Sequence, residues 1–327
     1  MPVTLEQAKV GLADKVDQQV IDEFRRDSFI LDKLTFDNCV SPGTGGSTLT
    51  YGYVRLKTPS VAEGRALNSE YKPGEAVKEQ HAVDLKIFGG AFEVDRVLED
   101  SAAQSEIAFQ LEEKVKAAAN KFHYDFINGS STAKGDNTSF DGLAKMLKGA
   151  STEHTPETPI DLSTPDAIAA NMDDFTQEID IWLGEFAEKP DMLLMNSRMY
   201  SIMKRIARKQ GFYSHNEDAF GVGVEKYDGI ELRDMGQYYD STKNKTVNVI
   251  PVNESDHTTA IYAVKFGLKA LHGVALNGTD RIIKTYLPDL KAPGAVKKGE
   301  VEMVAAIALK NSKQAGVFKN IKVEAGA

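Results

Sequence analysis

Only one cysteine, Cys39, occurs in the 327 residues, so no intrachain disulfide can form and no cysteine cluster can hold a metal. No window approaches the roughly 18 uninterrupted apolar residues of a membrane span. The start, MPVTLEQAKVGLADK, lacks the apolar stretch of a secretory signal. An intracellular origin without a membrane partner is therefore expected. Positive charge is not in excess either: 39 Lys and Arg stand against 48 Asp and Glu, a formal net charge of -9. Dedicated nucleic-acid binders draw most of their affinity from cations placed on phosphates, so this balance disfavours that class.

Catalytic signatures are missing as well. The stretch GSSTAKG (Gly129–Gly135) has Lys134 and Gly135 in the reverse of the phosphate-loop order and follows a helical pattern instead of a strand. Asp136 and Asn137 do not continue into the ligands of a calcium loop. GTGGST and GVGVEK lack the third glycine of a dinucleotide fingerprint. The six histidines are scattered, with no pair at zinc-ligand spacing, and no Gly-x-Ser-x-Gly occurs. Asp173, Asp174, Glu178 and Asp180 flank an apolar helical stripe and read as its solvated face. Lys204, Arg205, Arg208 and Lys209 lie opposite Met199, Met203 and Ile206, again a wet helix face, with contact to a neighbouring subunit as the lesser alternative. No enzyme and no cofactor is expected.

What is present is an ordinary globular composition, 42% hydrophobic and 27% charged, on a chain long enough for two domains. Residues 1 to about 40 read as an arm, with Val16, Val20 and Phe24 spaced for one helical face, followed by a joint, SPGTGGST. TLTYGYVRLK and VKEQHAVDLKIFGGAFEV read as strands. The polar, Gly- and Pro-containing chain between them, TPSVAEGRALNSEYKPGE, is too long for a compact domain and suggests a projecting hairpin. From Ser101 to Ile127 apolar residues recur every three or four positions, at Ile107, Leu111, Val115, Ala118, Phe122 and Phe126. They predict a helix about 40 Å long. It should end with Gly129 as a left-handed cap before a surface turn. A second helix should start at Thr164–Pro165 and bury Ile168, Met172, Phe175, Ile179, Trp182 and Phe186. DMLLMN is a short strand and a further helix runs from Ser197 to about Lys209. Strands follow at GIEL, TVNVIPV, TTAIYAVKFG and VEMVAAIAL, so the class is α+β.

These blocks, in this order, resemble the major capsid proteins of tailed double-stranded DNA bacteriophages, the Hong Kong 97 fold family. LKIFGGAFEVDRVLEDS is similar to the strand that returns from the family's extended hairpin, the E-loop, into its spine helix. DFINGSSTAKGDNTSFDGL resembles the corner closing that helix, with Gly129 and Gly142 at the turn. KPDMLLMNSRMYSIMKRI, YDGIELRDMG and TTAIYAVKFG resemble the axial domain, and VEMVAAIALKNSKQAGVFKNI resembles the closing strand of the peripheral domain. The resemblance implies an N-terminal arm at 1–46, an E-loop at 47–90 and a peripheral domain at 91–160 carrying a spine helix at 101–127. An axial domain at 161–283 and a return to the peripheral domain at 284–327 follow.

The resemblance implies a structural, non-enzymatic subunit that assembles with itself as pentamers and hexamers into an icosahedral shell around phage DNA, without sequence-specific contacts. Its localisation would be the virion, after assembly in the host cytoplasm. Arg55, Lys57, Arg65, Glu70, Lys72 and Glu75 would offer charges for E-loop contacts between subunits, and Ile107, Leu111, Val115, Phe122 and Phe126 would pack the spine helix. With only about 40 residues before the E-loop, the resemblance implies a separate scaffolding protein or none; a portal is a further partner, and the sequence leaves open whether a decoration protein binds outside. The family's Lys–Asn cross-link is not carried over, because residues 284–300 contain no asparagine. Two readings stand beside this one: an encapsulin-type nanocompartment shell, and a soluble α/β enzyme with a dispersed site.

Overall fold

The strand Val296–Leu309 alternates exposed or partly exposed residues with buried ones up to Val304 and then runs into Ala305–Leu309, which is buried throughout. Period-2 alternation marks a sheet with one covered face, and the apolar run marks a strand covered on both. This is a computed structural model, and it describes residues 29–39, 49–101, 105–132, 138–210, 214–217, 223–241, 243–276 and 282–325. The arm expected before residue 29 and the joint at 40–48 lie outside the described residues.

Val296–Leu309 organises the first sheet. Along one edge it pairs antiparallel with Lys86–Asp95, from Val296 opposite Asp95 to Ala305 opposite Lys86. Along the other edge Ile283–Tyr286 and then Leu271–Ala275 pair with it in succession. Phe36–Asn38 adds to Leu271–Ala275 in parallel. The helix Glu106–Asn128 lies across this sheet and buries Ala118, Ala119, Phe122, Phe126 and Ile127 in the core beneath it. Phe122 meets Phe140 at 5.3 Å between ring centres and Phe88 at 6.3 Å, within the range of favourable aromatic packing.

The second sheet has, among the described residues, the order Glu153–His154, Ala315–Lys322, Thr258–Val264, Met192–Met195, Ile230–Asp234, Gly223–Tyr227 and Ser214–Glu217, with Ile160–Asp161 also on Ala315–Lys322. Met192–Met195 is buried at every residue. The helix Pro165–Gly184 starts as expected: the Thr164 hydroxyl accepts from the Ala167 amide at 3.1 Å and Pro165 occupies the first turn. Ile168, Phe175, Ile179 and Trp182 are buried against Phe318 and its neighbours, with Met172 and Phe186 partly covered. The Trp182 indole donates to the Thr152 carbonyl at 2.9 Å, satisfying the polar edge of this buried ring.

Several expectations are corrected. Val77–Val94 is two strands, Val77–Asp84 and Lys86–Asp95, because buried Leu85 donates its amide sideways to Leu49 instead of continuing the ladder. The long helix does not begin at Ser101. A separate helix, Arg96–Ser101, precedes it, and Glu106–Asn128 has its own cap, the Ser105 hydroxyl accepting from the Ala108 amide. Ile107, Leu111 and Val115 are only partly covered in the single chain, whereas Phe122 and Phe126 are fully buried. Nor does the chain stay in one sheet through residues 284–327. It enters the first sheet already at Leu271–Ala275, and after Ser312–Gln314 it crosses back, so Ala315–Lys322 pairs with Thr258–Val264 in the second.

Gly129 is not a left-handed cap. Its φ of -57° and ψ of 143° suit any residue, and glycine is needed for space instead. A Cβ on Gly129 would lie 2.3 Å from the Phe140 carbonyl oxygen, and one on Gly142 would lie 2.4 Å from that of Asp125 and 2.6 Å from that of Ile127. The two glycines are joined directly, the Gly142 amide donating to the Gly129 carbonyl at 2.8 Å. Asp141 braces the turn, accepting from Lys145 and from the Ser131 amide, both at 2.7 Å. Burial works against its ionisation, but these donors outweigh it and hold its pKa below the usual carboxylate value. Gly142→Ala should therefore force the backbone apart and cost about 1–3 kcal/mol. Thermal unfolding checks this, and an unchanged midpoint would contradict it.

Candidate assembly surface

Thr50–Thr58 and Val77–Asp84 pair antiparallel over their length, with Tyr53 opposite His81 and Arg55 opposite Glu79. Beyond Thr58 and before Val77 the chain carries no regular structure apart from a turn near Leu67, and every residue is exposed. Leu67 is 89% exposed, Val61 75%, Tyr71 65% and Val54 63%. An isolated two-stranded ribbon is marginal in water, and apolar side chains along one need a covering surface.

The base of the ribbon is fixed. Tyr51, Tyr53 and Arg55 fall two apart, so they share one face of the strand. That face lies on the end of Val296–Leu309. The Tyr51 hydroxyl donates to Asp37 Oδ2 at 2.6 Å and the Tyr53 hydroxyl to the Leu309 carbonyl at 3.0 Å. Arg55 donates Nε to the Lys310 carbonyl at 2.9 Å, and its Nη2 to the Leu309 carbonyl and to Tyr53. The Lys310 ammonium sits 3.7 Å from Asp37 and over the Tyr51 ring, and buried His272 presents itself edge-to-face to that ring at 5.7 Å. Burial, with Lys310 close by, lowers the pKa of His272 and keeps the imidazole neutral. For Asp37, burial opposes ionisation, but the Tyr51 hydroxyl, the Asn38 amide and Lys310 prevail and lower its pKa. Tyr51 is raised by burial and by its bond to Asp37.

The residues read as contact charges thus divide. Arg55 is engaged with its own chain. Arg65 bonds the Ser69 carbonyl at 3.0 Å and lies over the Tyr71 ring, shaping the tip. Lys57, Glu70, Lys72 and Glu75 are exposed and carry no ion pair among the described residues. Of the helix residues, Ile107, Leu111 and Val115 leave part of a face uncovered next to exposed Phe109, while Phe122 and Phe126 belong to the core. Gly129 and Gly142 are structural and lie away from this surface. The anchor of Asp37, Tyr51, Tyr53, His272 and Lys310 was not foreseen, although Tyr51, Tyr53 and Arg55 at alternate positions of one strand were its visible signal. Among the described residues no cluster of His, Cys, Asp and Glu is arranged to hold a metal, and no helix is long and apolar enough to cross a membrane.

No protein-family model matches the sequence, and no curated protein sequence is significantly similar to it. Solved structures do match. The holo-SrpI encapsulin complex from Synechococcus elongatus PCC 7942 aligns with a TM-score of 0.65 at 14% identity over 98% of this chain and 97% of its own. The capsid of Myoviridae phage XM1 gives 0.59 at 13% identity over 94% and 97%. Mycobacterium phage Bobi gives 0.57 at 14% identity over all of both chains. The chain has the Hong Kong 97-type fold. Most of the matching structures are tailed-phage capsids, and at these identities the likeness establishes the fold.

The anchor sets how the hairpin leaves the body. The folded pKa of Asp37 lies below its ordinary value of 3.8. Its contribution to the anchor is therefore complete above that value and is lost as pH falls through the lower folded one. Hydrogen exchange at the Tyr51–Val54 amides should accelerate over that acid interval. Asp37→Asn should exchange faster near neutral pH and lack the acid step. A variant profile identical to wild type would contradict the anchor.

Proposed function

We propose that this protein is a major capsid protein, a structural subunit that assembles with itself as pentamers and hexamers into an icosahedral phage head around double-stranded DNA. The observation that carries this reading is the E-loop: a ribbon rigidly anchored at its base, apolar and exposed beyond it, on a fold whose matches span nearly the whole chain in phage capsids. Such a ribbon is complete only when another surface covers it, and in a self-assembling shell that surface is a second copy.

Exposed ion pairs are worth about 0–1 kcal/mol each, so Lys57, Glu70, Lys72 and Glu75 would tune the contact and its salt dependence, with the apolar tip supplying most of the affinity. A weak contact multiplied over many copies lets a misplaced subunit leave before the shell closes. The net charge of -9 suits a wall that encloses DNA without gripping it. On this reading a separate scaffolding protein, a portal and a decoration protein are the further partners, the particle is assembled in the host cytoplasm, and no catalysis is involved.

An encapsulin-type shell is the second reading, favoured by the TM-score of 0.65 to the Synechococcus elongatus encapsulin. Particle contents separate the two: DNA for a phage head, protein for a nanocompartment. Deleting Ser60–Gly74 should abolish closed shells in electron micrographs while circular dichroism shows a folded subunit. Normal shells from the deletion would contradict the role given to the ribbon.

A further inference from the structure

The helix Ser197–Gln210 buries Met199, Met203 and Ile206 and turns a strongly basic face outward. That face forms a groove of about 750 Å³ bounded by Ile168, Tyr200, Lys204, Arg205, Arg208 and Lys209. The charge of Lys204 is spent locally: its ammonium lies 2.5 Å from nearly buried Glu225 and 5.1 Å from the centre of the Tyr200 ring. Arg205, Arg208 and Lys209 carry the rest of the groove's positive charge, and Arg205 has no ion pair among the described residues.

A second groove, of about 720 Å³, is its electrostatic opposite and is bounded by Glu157, Asp161, Asn171, Asp174 and Glu178. Asn171, Asp174 and Glu178 step by three and four, so they share one side of the helix Pro165–Gly184. His154 meets Glu178 at 2.9 Å and Lys322 meets Asp161 at 3.6 Å, whereas Glu157 and Asp174 have no ion pair among the described residues. The grooves flank the helix Pro165–Gly184, which lends Ile168 to the basic one and Asn171, Asp174 and Glu178 to the acidic one. The acidic one lies toward the sheet edge formed by Glu153–His154 and Ile160–Asp161, while the basic helix packs over Ile230–Asp234 on the other side.

We infer that the basic groove of one copy docks the acidic groove of the next, joining the α/β units of this chain head to tail. Two complementary patches at different places on one body make a heterologous contact, the kind that closes into a ring when the rotation between copies allows. Guanidinium groups suit the task because they bind carboxylates in a planar, two-pronged geometry that fixes orientation as well as distance. Another copy is favoured over nucleic acid as the occupant because the acidic complement is on the same chain, whose overall charge would repel a polyanion. The contact rests on the shell reading and specifies which surfaces hold a capsomer together.

The test uses the full chain under conditions in which the wild type forms capsomers, counted by native mass spectrometry. Arg205→Glu with Lys209→Glu, or Glu157→Lys with Asp174→Lys, should each lower the ring population about tenfold at low salt. Both pairs in one chain should restore it. Mixing the two reversed chains should also restore rings, but only even-numbered ones, since opposite subunits must alternate. Wild-type rings should dissociate as salt is raised, a readout that needs no variant. Rings that ignore salt, or reversed chains that assemble like wild type, would overturn the contact while leaving the shell reading intact. Normal rings whose particles hold less nucleic acid would assign the basic groove to phosphates and overturn it too. A wild-type chain that never oligomerises would instead remove the shell reading on which the contact rests.

Discussion

The strand Val296–Leu309 is the constraint on which the rest depends. Its length lets it pair with Lys86–Asp95 on one side and with two successive strands on the other. Its final carbonyl, Leu309, and that of Lys310 receive Tyr53 and Arg55 and so fix the root of the projecting ribbon. A few residues later the same chain enters the second sheet. One segment therefore ties the helix-bearing body, the projecting ribbon and the α/β unit into a single frame. Arg55 supplies donors to both carbonyls at once.

This frame separates two kinds of surface. Inside, aromatic rings such as Phe122, Phe140, Trp182 and Phe318 pack with a larger number of buried Leu, Ile, Val and Met side chains to fill the two cores. Outside, Val54, Leu56, Val61, Leu67 and Tyr71 stay uncovered on a ribbon whose base cannot swing freely. A flexible ribbon would lose much conformational freedom on docking; one held at its root has already lost part of it, which favours association. The partly covered face of Ile107, Leu111 and Val115 is a second place where the single chain is unfinished.

Local chemistry was legible in the sequence and distant pairing was not. Thr164 followed by Pro165 announced a helix start because the cap is made within four residues. The apolar period through Phe122 and Phe126 revealed the long helix, but its start was hidden: Arg96–Ser101 is helical too, and no Gly or Pro marks the break. Gly129 and Gly142 drew attention as a turn, yet the reason for glycine at Gly129 lies in the Phe140 carbonyl, a contact periodicity cannot show. Val296–Leu309 and Ala315–Lys322 are similarly apolar, so nothing in their composition says that they belong to different sheets. Arg55 read as an outward charge because its acceptors are more than 250 residues away in sequence. The charges of the tip were placed on exposed chain by composition alone, since polar, Gly- and Pro-containing segments cannot bury enough to fold inward.

Cryo-electron microscopy of particles purified from cells expressing the full chain, alone and together with a scaffolding protein, tests the central claim most directly. The account predicts closed icosahedral shells or rings of five and six, with each E-loop resolved across a neighbouring copy. A monodisperse monomer under every condition of concentration, ionic strength and added scaffold, or shells in which the ribbon folds back on its own subunit, would contradict it.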